Sequence, residues 1–372
     1  MLSRHDIARD LYQSVFKNRE SRWWTQKQYV ERYPVRESDS ALASLFDVFD
    51  ADWLKEALDG WADGRRLPHP LVEHLVPTGL YPLVILVELG RDLRAVKDLK
   101  NFDHIVKELR DPSKFIAAWL ELELAAHCVR MGYCIELYPQ IRGKTPDLRL
   151  CLNEEDILVE IKEIHPSEVE QGCLDTSRIL LPQVQPALER GASVEITLYA
   201  LPNESQIRLL LKKIPELLTG PEDQLVQIGS LKVRLGLEEK GSGSFYVVPS
   251  PEMRKSELRR VGRSIRHEAE QIPASHSGLI ILDAATLQGY LHEEIAKAVE
   301  RAFSKYRLSN IVGTIIIRSY KFYRLERESE VILISNPNYR GDISLGKLDR
   351  ILSFSRTREL IPHGLGGCSR ET

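Results

Sequence analysis

The hydrophobic pattern of the chain changes its period near residue 132, and this change constrains the fold more than any other feature. Up to that point apolar residues recur at three and four positions, which is typical of amphipathic helices. Beyond it, short runs rich in β-branched residues alternate with turn signals and with further helical segments. A helical region followed by strands and helices predicts an α/β protein, with a mixed sheet flanked by helices.

Residues 1–110 are predicted to form an all-helical N-terminal region, because polar joints such as RYPVRESDS and RRLPHP suit the connections between packed helices. A long helix should follow at 112–131. Asp111 and Pro112 are typical of a helix start, and Gly132 is placed to end it.

Three strands are predicted directly after this helix, in CIELYPQI, PDLRLCL and DILVEIKEI. The pattern then predicts helices at about 174–190, 203–219, 252–271 and 290–306, with strands between and after them. The strand that completes the core sheet is left open between SVEITLYA (193–200) and GLIILDA (278–284). We interpret 111–355 as one domain with an insertion at about 203–250, and 356–372 as a disordered tail.

The composition limits where the protein acts and what it binds. With 51 basic and 54 acidic residues the net charge is -3, so any nucleic-acid surface must be regional. Five cysteines without a CxxC pair favour a reducing, cytoplasmic location. The start lacks an apolar stretch of signal-peptide length, and the best apolar run, residues 80–89, is about half a membrane span. We therefore expect no membrane partner.

A constellation of charged residues occupies two of the predicted strands. Asp147 opens one strand, and Glu160 and Lys162 lie two positions apart on the next, so their side chains leave the same face of the sheet. Clustered carboxylates can hold Mg²⁺, which neutralises charge during phosphodiester hydrolysis. A neighbouring lysine can orient or deprotonate water. The alternative interpretation is a surface salt bridge.

The helix before these strands offers a third acid. Glu121 shares a stripe with small residues, which predicts a closely packed face where a carboxylate needs a partner or a metal. Glu123 instead shares its stripe with His127 and Arg130, which is typical of a solvated face. We therefore choose Glu121 over Glu123.

The order of these motifs, within residues 112–190, resembles the PD-(D/E)XK (restriction-endonuclease-like) nuclease superfamily. The matching segments are FIAAWLELELAAHCVRMGY, GKTPDLRLCL with Pro146-Asp147, and ILVEIKEI with Glu160-Ile161-Lys162. An acid, an alanine-rich turn and a glycine eleven residues later also match, which supports Glu121. The later Asn336-Pro337-Asn338 resembles bacterial members of the superfamily.

The resemblance implies a restriction-endonuclease-like sheet and a metal site. Three acids would hold Mg²⁺, for which Mn²⁺ can substitute: Glu121, Asp147 and Glu160. The main-chain carbonyl of Ile161 would complete the site, and Lys162 would position the nucleophilic water.

A basic helix supplies a candidate nucleic-acid surface. Lys255, Arg259 and Arg263 fall on one stripe and Arg266 follows them, a pattern that suits phosphate binding. The alternative is a solvated helix face.

The sequence thus predicts a Mg²⁺-dependent DNA endonuclease of a prokaryotic restriction, repair or phage-defence system, acting as a homodimer or with a partner protein. Two alternatives stay open. One is a non-catalytic binding module that keeps the nuclease fold, and the other is an RNA nuclease.

Overall fold

The computed structural model describes residues 35–64, 69–75, 80–152, 155–165, 167–189, 191–219, 225–237, 244–284, 290–318 and 330–343, with the single positions 9, 13, 287 and 348. Two compact units divide the chain. The first comprises residues 1–163, 267–283 and 307–372, and the second comprises residues 164–266 and 284–306. The predicted insertion at about 203–250 forms part of the second unit.

Helices and strands follow the predicted order. The helices are α1 (Val35–Val48), α2 (Ala51–Ala62), α3 (Pro70–Leu75), α4 (Leu80–Val96), α5 (Phe102–Leu109), α6 (Phe115–Arg130), α7 (Glu168–Leu188), α8 (Glu204–Thr219), α9 (Pro251–Gln271) and α10 (His292–Tyr306). The strands are β1 (Cys134–Leu137), β2 (Leu148–Leu152), β3 (Glu155–Glu163), β4 (Ala192–Leu198), β5 (Leu225–Ile228), β6 (Leu231–Leu237), β7 (Phe245–Pro249), β8 (Ser277–Asp283), β9 (Ile311–Arg318) and β10 (Glu330–Ser335). The predicted α/β class with helix-flanked mixed sheets is confirmed.

The first unit is built on a six-stranded sheet in the order β1-β2-β3-β8-β9-β10. The β1-β2, β2-β3 and β9-β10 pairs are antiparallel, whereas β3-β8 and β8-β9 are parallel. Helix α6 packs against α4 and α5 and also against β1 and β3. One apolar core therefore joins the N-terminal helices to the sheet, with Leu45, Leu89, Leu122 and Ile281 fully enclosed in it.

The sequence left two candidates for the strand that pairs with β3 on the side away from β2. In the structure this strand is formed by GLIILDA. This segment forms β8, which pairs in parallel with β3 so that Ile161 lies opposite Ile281. SVEITLYA forms β4, which belongs to another sheet. A nearly continuous apolar run such as GLIILD suits a parallel strand that is buried on both faces, whereas the alternation in SVEITL suits a sheet with one open face.

The start of α6 lies three residues later than predicted. Asp111 caps a turn instead of the helix, because its Oδ1 accepts a hydrogen bond from the Ser113 amide at 2.9 Å, and α6 begins at Phe115. The predicted end is confirmed. Gly132 has φ of +80°, and the Tyr133 amide donates to the Cys128 carbonyl at 2.9 Å, the pattern of a left-handed glycine C-cap.

The second unit contains a four-stranded sheet in the order β5-β6-β4-β7. Helices α7 and α8 pack on one face of it, where apolar residues such as Val194, Ile196 and Leu198 of β4 meet Leu180 of α7 and Leu210 of α8. Helix α7 starts earlier than predicted because Ser167 and Glu170 form a capping box at its first turn.

Within the described residues, none of the helices is long and apolar enough to cross a membrane. The predicted tail, residues 356–372, lies outside the described residues.

The contact between α1 and α4 gives a test of the helical packing. A Cβ added at Gly90 would lie 2.0 Å from the carbonyl oxygen of Ala41, which is backbone and cannot rotate away. We expect Gly90→Ala to lower the free energy of unfolding by about 1–3 kcal/mol, because overpacking outweighs the better helix propensity of alanine. Chemical denaturation followed by circular dichroism measures this.

The matched control is Gly262→Ala in α9, where the added Cβ would lie 3.5 Å from the Ala302 side chain, an ordinary contact. This variant should be as stable as the wild type or more so. Equal behaviour of the two variants would contradict the packing described for α1 and α4.

Candidate active site

Asp147 and Glu160 are brought together by the register of β2 and β3. Leu148 pairs with Val159, so Asp147, one residue earlier, comes opposite Glu160. Oδ2 of Asp147 accepts a hydrogen bond from the main-chain amide of Ile161 at 2.7 Å. This bond fixes the Asp147 carboxyl group against β3, beside a Glu160 side chain that is only 3 % exposed.

Glu121 reaches the same place from α6. Its side chain is buried, at 4 % exposure, and its Oε2 accepts a hydrogen bond from the Tyr138 hydroxyl at 2.5 Å. Asp147 lies close enough to raise the pKa of Glu121 electrostatically. The acid preferred from the sequence is therefore the one that faces Asp147.

Five carboxyl groups of the first unit interact here, and we call them the acid cluster: Glu108, Glu121, Asp147, Glu160 and Glu268. Burial, followed by repulsion from Asp147 and Glu268, raises the pKa of Glu160 to about 10. Burial, with the charge of Glu268, raises the pKa of Asp147 to about 7 despite the bond from Ile161. Burial and then Asp147 raise the pKa of Glu121 well above its usual value. Glu121, Asp147 and Glu160 thus each resist ionisation in this buried, negatively charged surrounding.

Glu108, Tyr138 and Glu268 were missed by the sequence analysis. Glu268 had a recognisable signal, because it interrupts the apolar stripe of α9 between Ile265 and Ile272, just as Glu121 interrupts that of α6. Glu108 and Tyr138 had no recognisable sequence signal. They reach the cluster only through contacts between α5, α6 and the end of β1, which a local pattern does not show.

Tyr138 holds an unusual backbone conformation at the edge of the cluster. Its φ is +47°, which is costly for a bulky residue and is often found at functional sites. The ring lies against that of His104, with centroids 4.2 Å apart. This contact and the bond to Glu121 hold the tyrosine in place.

A groove opens beside the cluster and gives access to Asp147. Its volume is about 520 Å³, and its lining includes Lys100, His104, Gln140 and Thr145 as well as Asp147. Lys100 is a cation and Gln140 and Thr145 can donate hydrogen bonds, whereas Glu108 also lines the groove as a second acid. The groove therefore offers an anion positive charge and donors next to the carboxyl groups.

Lys162 and Ile161 occupy the positions expected from the strand. Lys162 lies two residues after Glu160 on the same face of β3, and its side chain is exposed. Ile161 points to the other face, into the apolar core. Its main-chain amide is engaged by Asp147.

The prediction that Glu123 is solvated is wrong. Glu123 is only 9 % exposed, because α6 is covered by the N-terminal helices as well as by the sheet. It lies near Asp92, which pairs with Arg130 at 2.8 Å. Burial raises the pKa of Asp92 to about 7 in spite of Arg130, and Glu123 adds to the rise. Glu123 therefore belongs to a separate charged group.

The chemistry of the acid cluster fits a divalent cation such as Mg²⁺ or Mn²⁺. The donors are carboxylate oxygens, which these ions prefer, and Oε1 of Glu160 is buried without a hydrogen-bond partner. A cation would offset both the burial and the repulsion that raise these pKa values. Within the described residues, however, no group of three or more His, Cys, Asp or Glu side chains is arranged so that it could hold a metal ion.

The predicted nucleic-acid surface lies in the second unit. Lys255, Arg259, Arg263 and Arg266 of α9 are all exposed. The first three line a groove of about 580 Å³ together with Arg301 and Lys305 of α10. The guanidinium of Arg266 lies 5.4 Å from the centre of the Tyr306 ring. The sequence pattern along α9 alone could not reveal the contribution of α10.

Comparisons of the chain with protein-family models, curated proteins and solved structures found no match.

The raised pKa values predict how stability depends on pH. The folded protein keeps protons on Glu160 and Asp147 at pH values where the unfolded chain has released them, so the free energy of unfolding falls as the pH rises from about 5 to about 9. We expect Glu160→Gln to flatten this fall, because the substituted residue cannot ionise. Thermal midpoints across this range, in EDTA, measure the effect.

Asp103→Asn serves as the control, since Asp103 is an exposed acid on α5. It should keep the pH profile of the wild type. A Glu160→Gln profile as steep as that of the control would show that Glu160 is already ionised in the folded protein.

Proposed function

We propose that this chain is a metal-dependent nuclease with a restriction-endonuclease-like core, and that it cleaves DNA. The observation that carries the proposal is the meeting of Glu121, Asp147 and Glu160, from a helix and two adjacent strands, in one buried group beside an open groove. Burying several acids together is unfavourable unless they are neutralised. A structural role alone gives no physical reason to collect them.

In this proposal Asp147, Glu160 and Glu121 would hold the metal. When bound, Mg²⁺ would neutralise charge on the scissile phosphate and lower the pKa of a coordinated water. Tyr138 keeps the Glu121 carboxyl group oriented through its hydroxyl, and the Ile161 amide does the same for Asp147. These two hydrogen bonds already restrict the carboxyl groups. Less conformational entropy would therefore be lost when a cation binds.

Lys162 would act on the water that attacks phosphorus. Its position two residues after Glu160 places the ammonium group on the strand face that carries a metal-binding acid. There it would orient the water and stabilise the charge that develops on the phosphate oxygens. The water oxygen forms a bond to phosphorus, the bond to the 3′-oxygen breaks, and the products are a 5′-phosphate and a 3′-hydroxyl.

The substrate is proposed to be DNA on the basis of charge and access. The groove at Asp147 carries Lys100 and His104, and the groove between α9 and α10 carries five cations. Phosphate contacts of this kind give affinity without sequence preference. A restriction, repair or phage-defence role agrees with such an enzyme.

A second candidate is a binding protein that keeps the fold without catalysis. It is favoured by the finding that no group of three or more His, Cys, Asp or Glu side chains among the described residues is arranged so that it could hold a metal ion. In that case the acid cluster would stay protonated and the basic groove would be the functional surface.

Cleavage assays distinguish the two candidates. Purified protein is incubated with supercoiled plasmid, linear duplex, single-stranded DNA and RNA, each with Mg²⁺, Mn²⁺ or EDTA. We expect metal-dependent cleavage of DNA, and a decrease of about 100-fold or more in rate for Asp147→Asn and Lys162→Ala, because each removes a group that acts on the reacting atoms.

Glu123→Gln is the matched control, since Glu123 is a buried acid on the same helix as Glu121 but lies near Asp92. It should cleave at the rate of the wild type. Absence of cleavage on every substrate would favour the binding protein, and cleavage of RNA alone would overturn the assignment of DNA.

A further inference from the structure

Among the described residues, helices α7 and α8 cover one face of the sheet of the second unit, and we call the opposite face the open face. Val194, Ile196 and Leu198 of β4 point into the core beneath α7 and α8. The alternate residues, Glu195 and Thr197, therefore point to the opposite face. In register with Glu195 stand Arg234 of β6 and Tyr246 of β7, and in register with Thr197 stand Lys232 of β6 and Val248 of β7.

Large apolar and aromatic side chains are exposed on this open face. Leu225 of β5, opposite Arg234, is 60 % exposed, and Tyr246 is 58 % exposed. Tyr199, which continues the alternation beyond the end of β4, is 48 % exposed. Exposed residues of this size on neighbouring strands, surrounded by polar groups, mark a binding surface more often than an isolated apolar residue does.

The charge of the open face is mainly positive. Lys232 and Arg234 make no ion pair within the described part of the chain. A cavity of about 750 Å³ lies against the face, and its lining includes both cations with Tyr199, Leu225 and Arg254. Two acids also line it, of which Glu294 lies 4.0 Å from Arg254. Glu195 is thus the acid whose charge most directly opposes an anion at this face.

We propose that this open sheet face binds single-stranded nucleic acid. Tyr199 and Tyr246 supply rings on which unpaired bases stack. Lys232 and Arg234 of β6, which lies on the other side of β4 from Tyr246, meet the phosphates. A duplex keeps its bases stacked on one another and offers them to a flat face only at its ends, so the exposed rings favour an unpaired strand. An acidic peptide would satisfy the cations but would leave both tyrosines without a stacking partner.

The face adjoins the basic groove of the same unit. Lys255 and Leu258 of α9 line both the cavity at the sheet and the groove between α9 and α10. A nucleic-acid strand that extends from the cavity at Tyr199 into this groove therefore reaches Arg259 and Arg263 next. This inference concerns binding alone and does not depend on hydrolysis at the acid cluster.

Fluorescence anisotropy in EDTA tests the proposal with labelled single-stranded DNA, a duplex of the same length and poly-glutamate as a competitor. The wild type should bind the single strand more tightly than the duplex. Tyr199→Ala and Tyr246→Ala should each weaken single-strand binding about fivefold or more, as expected for the loss of one stacked base. Glu195→Gln should tighten it, a gain that damage to the fold would not produce.

Lys232→Ala and Lys212→Ala form a matched pair, because Lys212 is exposed on α8, which packs on the covered face. Only Lys232→Ala should weaken binding and reduce its dependence on salt. The proposal is overturned if the single strand does not bind, if the duplex binds as tightly, or if poly-glutamate displaces it equally well. It is also overturned if both tyrosine variants bind like the wild type. Failure of plasmid cleavage would leave these results unchanged.

Discussion

The burial and mutual repulsion of carboxyl groups is the constraint on which the candidate site of this protein depends. Asp147 and Glu160 meet because β2 and β3 pair in one register, and a shift of that register by one residue would turn Glu160 to the apolar core. Glu121 joins them because α6 is packed against the sheet. The apolar core of the first unit thus supplies the energy that holds like charges together, and protons or a cation must neutralise them.

The covering of α6 from both sides explains why the site has more members than the motifs suggest. Helix α5 brings Glu108 close to Tyr138. The Tyr138 hydroxyl lies 3.4 Å from Oε2 of Glu108 and donates a hydrogen bond to Glu121. The N-terminal helices therefore do more than extend the core. Helix α5 supplies Glu108 to the acid cluster and His104 to the groove beside it, and the turn before α5 supplies Lys100.

Much of this architecture could be predicted from the sequence, because it depends on local patterns. The change of period near residue 132 indicated where helices give way to strands, and the spacing of Glu160 and Lys162 placed both on one strand face. The solvated face assigned to Glu123 was wrong because a periodic pattern along one helix does not show how many neighbours cover it. Tyr138 and Arg301 were missed for a related reason, since each becomes relevant only through a contact with a distant segment. The choice of β8 over β4 as the neighbour of β3 likewise depends on pairing between distant segments.

The most direct test of the central claim is an anomalous diffraction measurement on crystals soaked with Mn²⁺ near neutral pH. We expect one strong peak at about 2.1 Å from carboxylate oxygens of Asp147 and Glu160, the distance typical of small hard cations, and no such peak in crystals of Asp147→Asn. Mn²⁺ bound at full occupancy elsewhere, with none at the acid cluster, would contradict a metal site there.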